Sequence, residues 1–218
     1  MQLDEYKKRY GDDDEAAPGW DAIDERLKPL YPDQEPMHWG TAISYMLGGP
    51  DPLDGISMYQ CTDGPMPHLH FATYGFTSLY YDEESVGGDY SQFGFELTFR
   101  LASPLPPSEP VDWVCNFLQN LARYVFDTKK HCAAGHWIPT NGPIRAESDT
   151  AIVGLAFLDD QRCSPIDSPH GRVEFVQGFG LTQCELASLI DKTDTVDEIL
   201  ARHRDGNPLF VTDLSRKG

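Results

Sequence analysis

The sequence predicts an α+β fold: a mixed, mostly antiparallel sheet with helices packed against it. Three observations carry this. First, Phe93–Leu101 alternates without a break, with apolar Phe93, Phe95, Leu97, Phe99 and Leu101 between Gly94, Glu96, Thr98 and Arg100. A period of two is the mark of a strand with one apolar face. Burying those five side chains contributes roughly 8–15 kcal/mol as an upper bound. Second, Val111–Phe126 places Val114, Phe117, Leu118, Leu121 and Val125 on one stripe, which predicts an amphipathic helix. Third, strands and helices alternate with no regular βαβ rhythm, which favours helices laid on an antiparallel sheet.

The elements follow in chain order. Residues 1–17 form an acidic N-terminal segment containing Asp12-Asp13-Asp14-Glu15, expected as a solvated tail or a frayed helix. Residues 18–218 are expected to form one domain, since no long polar linker divides them. A helix starts at Pro18, with Trp20, Ile23, Leu27 and Leu30 at helical spacing, and Pro29 should end or distort it. Thr41–Leu47 fits a strand or a helical turn, and Gly48–Gly55 is a dense turn signal. Ile56–Gln60 and Leu69–Phe76 read as strands, and Tyr80–Gln92 as an acidic loop before the alternating strand. Pro104–Pro110 breaks the chain ahead of the long helix. Lys129-Lys130 follows that helix, where cations suit its dipole. His131–Thr150 has no period and reads as a long excursion. Ala151–Leu158 and Val173–Phe179 are strands. Thr182-Gln183-Cys184-Glu185 and Thr195-Val196-Asp197-Glu198 are capping boxes, predicting helices over about 183–191 and 196–204. Pro208–Thr212 reads as a last short strand.

Composition narrows the partners. The chain has 218 residues, 40% of them hydrophobic, which suits a globular protein. It carries 35 acidic against 17 basic side chains, a net charge of −18. Such a surface repels nucleic acid and anionic membranes and attracts a basic protein partner. The N-terminus lacks the apolar run of a secretory signal, and the longest apolar run, Ala151–Leu158, is too short to span a bilayer. Five scattered cysteines with no Cys-x-x-Cys read as reduced thiols. A cytoplasmic location is the expectation.

Candidates for chemistry are few. His68-Leu69-His70 would place two imidazoles on one strand face, which can seed a metal site with His131, Cys132 or His136 as distant ligands. The competing reading is a structural pair hydrogen-bonded beneath a loop. No Gly-x-Ser-x-Gly and no phosphate-binding glycine loop occurs, and no cofactor is assigned. Tyr74, Tyr80 and Tyr81 stand beside Asp82-Glu83-Glu84, the aromatic and acidic mixture of a protein-binding face. Glu96 and Arg100 share the polar strand face about 13 Å apart, so each needs a cross-strand neighbour, a helix or a bound partner.

These segments resemble the suppressor of fused family, in its N-terminal domain. Leu47-Gly48-Gly49-Pro50-Asp51-Pro52-Leu53-Asp54 resembles the family's turn, and Ser57-Met58-Tyr59 the strand after it. His68-x-His70, Tyr74-Gly75-Phe76 and Leu79-Tyr80 resemble the next block. Phe93–Leu101 and Leu121-Ala122-Arg123-Tyr124-Val125-Phe126 match most strongly, and Thr212-Asp213 resembles a motif near the domain end. The resemblance implies a suppressor of fused N-terminal-domain-like fold. In animals the family protein binds Gli transcription factors and restrains Hedgehog signalling, as a two-domain clamp on a peptide that adds as a β-strand. This chain is similar to the first of those domains and is read as a compact, single-domain relative of bacterial type. Such relatives have been proposed as immunity proteins that neutralise polymorphic toxins. Tyr80 and Asp82 match the block that borders the family's peptide groove, and Glu96 lies on the polar strand face; these three are the implied partner contacts. Gln92 stands where the family has glycine.

The expected function is therefore a non-catalytic protein-binding domain, an inhibitor or immunity protein that neutralises a basic partner or toxin. The alternatives are a metal-dependent hydrolase using His68 and His70, and a scaffold module with no toxin connection. The oligomeric state is left open.

Overall fold

Pro18 lacks the N–H that a first helical turn leaves unpaired anyway, so it opens a helix at no cost. In the computed structural model, which describes residues 1–217, that helix is α2 (Pro18–Leu27), preceded by α1 (Leu3–Tyr10). Pro29 cannot donate to the ladder, and the chain tightens into a 3₁₀ turn over Lys28–Leu30. The strands are β1 (Met37–Gly40), β2 (Gly55–Cys61), β3 (His68–Tyr74), β4 (Tyr90–Ala102), β5 (Trp137–Pro139), β6 (Ile152–Asp159), β7 (Ile166–Ser168) and β8 (Gly171–Thr182). Helix α3 (Asp112–Thr128) follows β4, and α4 (Gln183–Ile190) and α5 (Val196–Arg204) follow β8.

The strands form one sheet in the order β1-β2-β3-β4-β8-β6-β5, with β7 also pairing β8. Only β4 and β8 run parallel; every other pair is antiparallel. The alternating strand is β4, and it lies mid-sheet between β3 and β8. Its Phe95, Leu97, Phe99 and Leu101 enter the main core with Leu69, Phe71 and Phe157, under the Val114, Leu118, Leu121 and Val125 stripe of α3.

The opposite, polar face of β4 is enclosed as well. Glu96, Thr98 and Arg100 are all buried. Ile23 and Leu27 of α2 cover one end of that face, against Tyr59, Ala72, Tyr74 and Phe175. Leu186, Leu189, Ile199 and Leu200 of α4 and α5 cover the other end, against Ala156, Leu158, Phe179 and Leu181. A mid-sheet strand has helices on both sides, so its polar residues are enclosed in a buried strip and not solvated.

Three further expectations change. The N-terminal segment is not simply a solvated tail: Tyr6 of α1 is 0% exposed and stacks on Tyr81 at 5.0 Å. The long excursion contains β5. Pro208–Thr212 makes only a parallel bridge from Thr212 to Leu101, because the Gln177 amide takes the Leu209 and Phe210 carbonyls at 2.8 and 2.9 Å. Among the described residues no helix is long and apolar enough to cross a membrane.

Both capping boxes form as their spacing predicts. Thr195 N–H donates to Glu198 at 2.8 Å, and Glu198 N–H donates to the Thr195 hydroxyl at 3.3 Å. Thr195→Ala should therefore cost about 1 kcal/mol, read as a lower urea midpoint with an unchanged slope.

Candidate functional site

The chain turns sharply after β3. Gly75 has φ 146°, and a Cβ there would sit 2.7 Å from the Pro52 carbonyl oxygen and 2.8 Å from Leu53 Cα. Only glycine tolerates both the angle and the approach. The turn brings Leu79–Asp82 against the segment that links β1 and β2. Between them opens a cleft of about 280 Å³, lined by Tyr45, Met46, Asp54, Tyr80, Tyr81 and Asp82 and floored by Phe126. Tyr45 packs edge-on against Phe126 at 5.1 Å.

The segment that carries Met46 into the cleft is apolar and open. Met46 and Leu47 are each 82% exposed, and Ile43 is 55% exposed. The sequence left this stretch ambiguous between strand and helical turn; it holds a 3₁₀ turn at Tyr45–Leu47 ending in Gly48 at φ 89°. That turn presents Met46 and Leu47 outward. Tyr80 is 40% exposed, and partial burial together with the Asp54 charge beside it pushes its phenol up. Asp54 Oδ1 is buried and has no hydrogen-bond partner among the described residues. The cleft thus combines aromatic and thioether surface with the Asp54 carboxylate beside the Tyr80 phenol.

Asp82 is exposed at one end of the cleft, and its position is set from below. Its backbone N–H donates to the Tyr6 hydroxyl at 3.0 Å. Tyr6 donates in turn to His170 Nε2 at 2.7 Å. His170 Nδ1 faces the Ser78 carbonyl at 2.8 Å, which fixes the proton on Nδ1 and the acceptor on Nε2. This buried relay ties α1, the cleft loop and the turn before β8 together. The Asp82 carboxylate also accepts from Glu84 N–H at 3.0 Å and from the Ser85 hydroxyl, so it closes its own loop while facing solvent. Gln92, where the resemblance leads one to expect glycine, has φ 51° and keeps the left-handed backbone glycine would take.

Glu96 is not on the surface, and its expected role as a direct partner contact is corrected. Its side chain lies behind the cleft with 0% exposure. One oxygen accepts from Gly75 N–H (3.0 Å), Thr77 N–H (3.0 Å) and the Thr77 hydroxyl (2.7 Å). The other accepts from the Thr73 hydroxyl at 2.6 Å. Burial pushes the carboxyl up to about 7, against the pull of the threonine and backbone donors. Glu96 therefore braces the turn that shapes the cleft.

His68 and His70 share a strand face, as expected, but do not build one site. His70 is fully buried: its Nδ1 lies 2.5 Å from the Tyr31 hydroxyl, and its Nε2 lies 3.4 Å from Asp160 without a well-formed hydrogen bond. Burial and the Arg100 charge lower it to about 4, so it stays neutral. Arg100 donates to both Asp160 oxygens at 2.8 and 3.0 Å. Burial would raise the Asp160 carboxyl, but His70 and the Arg100 charge outweigh it and hold the group well below the usual carboxylate range. His68 faces the Met66 carbonyl instead. The proposed distant ligands lie elsewhere: His131 packs against Phe93 and Phe95, Cys132 is in the core under α3, on the other side of the sheet, and His136 is exposed. The two imidazoles therefore do not converge on one site. Spacing alone could not reveal Tyr6, Met46, Asp54 and His170 as parts of the site, because contacts distant in sequence bring them together.

Comparison with known proteins agrees with the fold. Residues 49–217 match the family model described as suppressor of fused protein. The suppressor of fused homologs of Homo sapiens and Mus musculus are each 34% identical over 215 residues, covering 91% of this chain and 43% of the relative. The chain thus spans less than half the length of those relatives. A crystal structure of the Sufu–Fu complex superposes with a TM-score of 0.83 at 32% identity, over 93% of this chain and 92% of that one. Drosophila Suppressor of Fused gives 0.82 at 32% identity, over 93% of this chain and 51% of that one. A Neisseria gonorrhoeae homolog, at 13% identity and a TM-score of 0.61, shares the fold. With the family model covering most of its length and these relatives above 30% identity, the chain belongs to the suppressor of fused family.

Proposed function

We infer that this chain is a non-catalytic protein-binding domain whose cleft at Tyr45, Met46, Tyr80 and Asp82 engages a basic partner and inhibits it by occlusion. The observation that carries this reading is a cleft in which exposed Met46 and Tyr80 stand beside the carboxylates of Asp54 and Asp82. Aromatic and apolar anchors supply binding energy, while the carboxylates beside them suit a lysine or arginine of the partner. The net charge of −18 would steer such a partner to the surface. A toxin held inactive by an immunity protein is the partner class this charge suits best, and a cytoplasmic setting goes with it.

The test is co-expression with basic proteins encoded beside this gene, scored by growth rescue and by co-purification at low salt. Tyr80→Ala should weaken the complex by about 2 kcal/mol, roughly thirtyfold in Kd by calorimetry. Asp82→Asn should slow association and flatten its salt dependence. Full binding by the Tyr80→Ala, Met46→Ser double variant would place the interface elsewhere.

A further inference from the structure

The β2–β3 hairpin carries ligand-type side chains that the cleft does not use. Cys61 ends β2, His68 begins β3, and the two are register partners. Directly opposed residues on an antiparallel pair put their side chains on one face, with Cβ atoms about 5 Å apart. Asp63 lies in the connecting turn. Together they bring a thiol sulfur, a carboxylate oxygen and an imidazole nitrogen within 4.8 Å of one another.

The imidazole is arranged as a ligand. His68 Nδ1 faces the Met66 carbonyl at 3.0 Å, so that nitrogen carries the proton and the lone pair sits on Nε2. Nε2 is buried and has no hydrogen-bond partner among the described residues, in a residue that is 0% exposed. Metal-bound histidines commonly donate their other N–H to a carbonyl in this way. Arg162 pairs with Asp63, as outer-shell groups often pair with ligating carboxylates. A thiolate and a carboxylate supply two negative charges, which balance a divalent cation. The neighbouring Arg100 is neutralised by Asp160.

A second group, His70, Asp160 and Cys163, is equally close. Its carboxylate is already saturated by Arg100, the Thr98 hydroxyl and the backbone N–H groups of Arg162 and Cys163. Asp63, by contrast, is an exposed carboxylate paired with Arg162 through one oxygen alone.

We propose that Cys61, Asp63 and His68 form a zinc-type site that staples the β2–β3 hairpin, with a fourth position open to water beside exposed Asp63. Cysteine, histidine and aspartate are the donors zinc selects. Binding forms the sulfur–metal bond and releases the Cys61 thiol proton to solvent, with no change of oxidation state.

The experiment titrates Co²⁺ alone into untagged, chelator-treated protein. One equivalent should produce a sulfur-to-cobalt charge-transfer band, and Zn²⁺ should displace it. Cys61→Ser should abolish the band, and Cys163→Ser should leave it intact. Asp63→Asn, a change in an exposed turn that spares the core, should weaken binding about tenfold or more. Zn²⁺ should raise the thermal midpoint of the wild type and not of Cys61→Ser. Absence of saturable binding, a band that survives Cys61→Ser, or a band lost in Cys163→Ser would each overturn the proposal.

Discussion

Asp160→Ala should lower the stability of this domain by about 3–5 kcal/mol, the loss expected when one partner of a buried ion pair is removed. Asp160 is enclosed and serves four groups: the Arg100 guanidinium, the Thr98 hydroxyl and the N–H groups of Arg162 and Cys163. Alanine would strand a positive charge in an interior where, among the described residues, Asp160 is the carboxylate paired with it. The larger part of the loss is the penalty for that stranded charge. The double variant Arg100→Met, Asp160→Leu should therefore recover most of the loss, since well-packed apolar pairs often equal buried ionic ones. Urea unfolding of the wild type and the two variants measures this. A loss below about 1 kcal/mol for Asp160→Ala would mean water reaches the strip.

Glu96 should produce the second large effect, and one that depends on pH. Glu96→Ala leaves two backbone N–H groups and two hydroxyls without their acceptor, at about 1–3 kcal/mol for each buried group left unpaired. A loss of at least about 3 kcal/mol is expected, together with weaker partner binding, because the Gly75–Thr77 turn would loosen. Glu96→Gln is milder. Its carbonyl can replace the oxygen that accepts three bonds, and its amide can face Thr73.

The sign of the pH effect follows from the raised carboxyl, at about 7 in the folded protein against 4.5 as its ordinary value. The native state holds the proton more tightly than the unfolded chain. The Glu96 contribution is therefore complete below the ordinary value and is lost as pH rises through about 7. That difference corresponds to about 3 kcal/mol. Glutamine does not titrate. The stability of Glu96→Gln relative to wild type should thus improve by about 3 kcal/mol between acidic and mildly alkaline pH. A difference that stays flat across that range would show that Glu96 keeps one protonation state throughout.

Much of the fold was legible because it rests on local rules. The alternation of Phe93–Leu101, the stripe of Val114, Leu118, Leu121 and Val125, and the Thr–Glu spacing of both capping boxes each report a backbone geometry within a dozen residues. Pro29 marked the end of α2 for the same reason. Tyr80 and Asp82 are contacts implied by the family resemblance, and both line the cleft.

The sequence by itself thus determined that this chain would build an α+β sheet with β4 at its heart, that β4 would have one apolar face, and that its helices would start at Pro18, Thr182 and Thr195. Tertiary structure alone decided what the other face means. Glu96 meets donors from Thr73, Gly75 and Thr77, and Arg100 meets Asp160 and Gln177. Alternation states that a side chain is polar; whether water or protein satisfies it depends on what packs over the strand. Here that is α2 on one side and α4 and α5 on the other. Those contacts join residues far apart in the chain, and no local period encodes them.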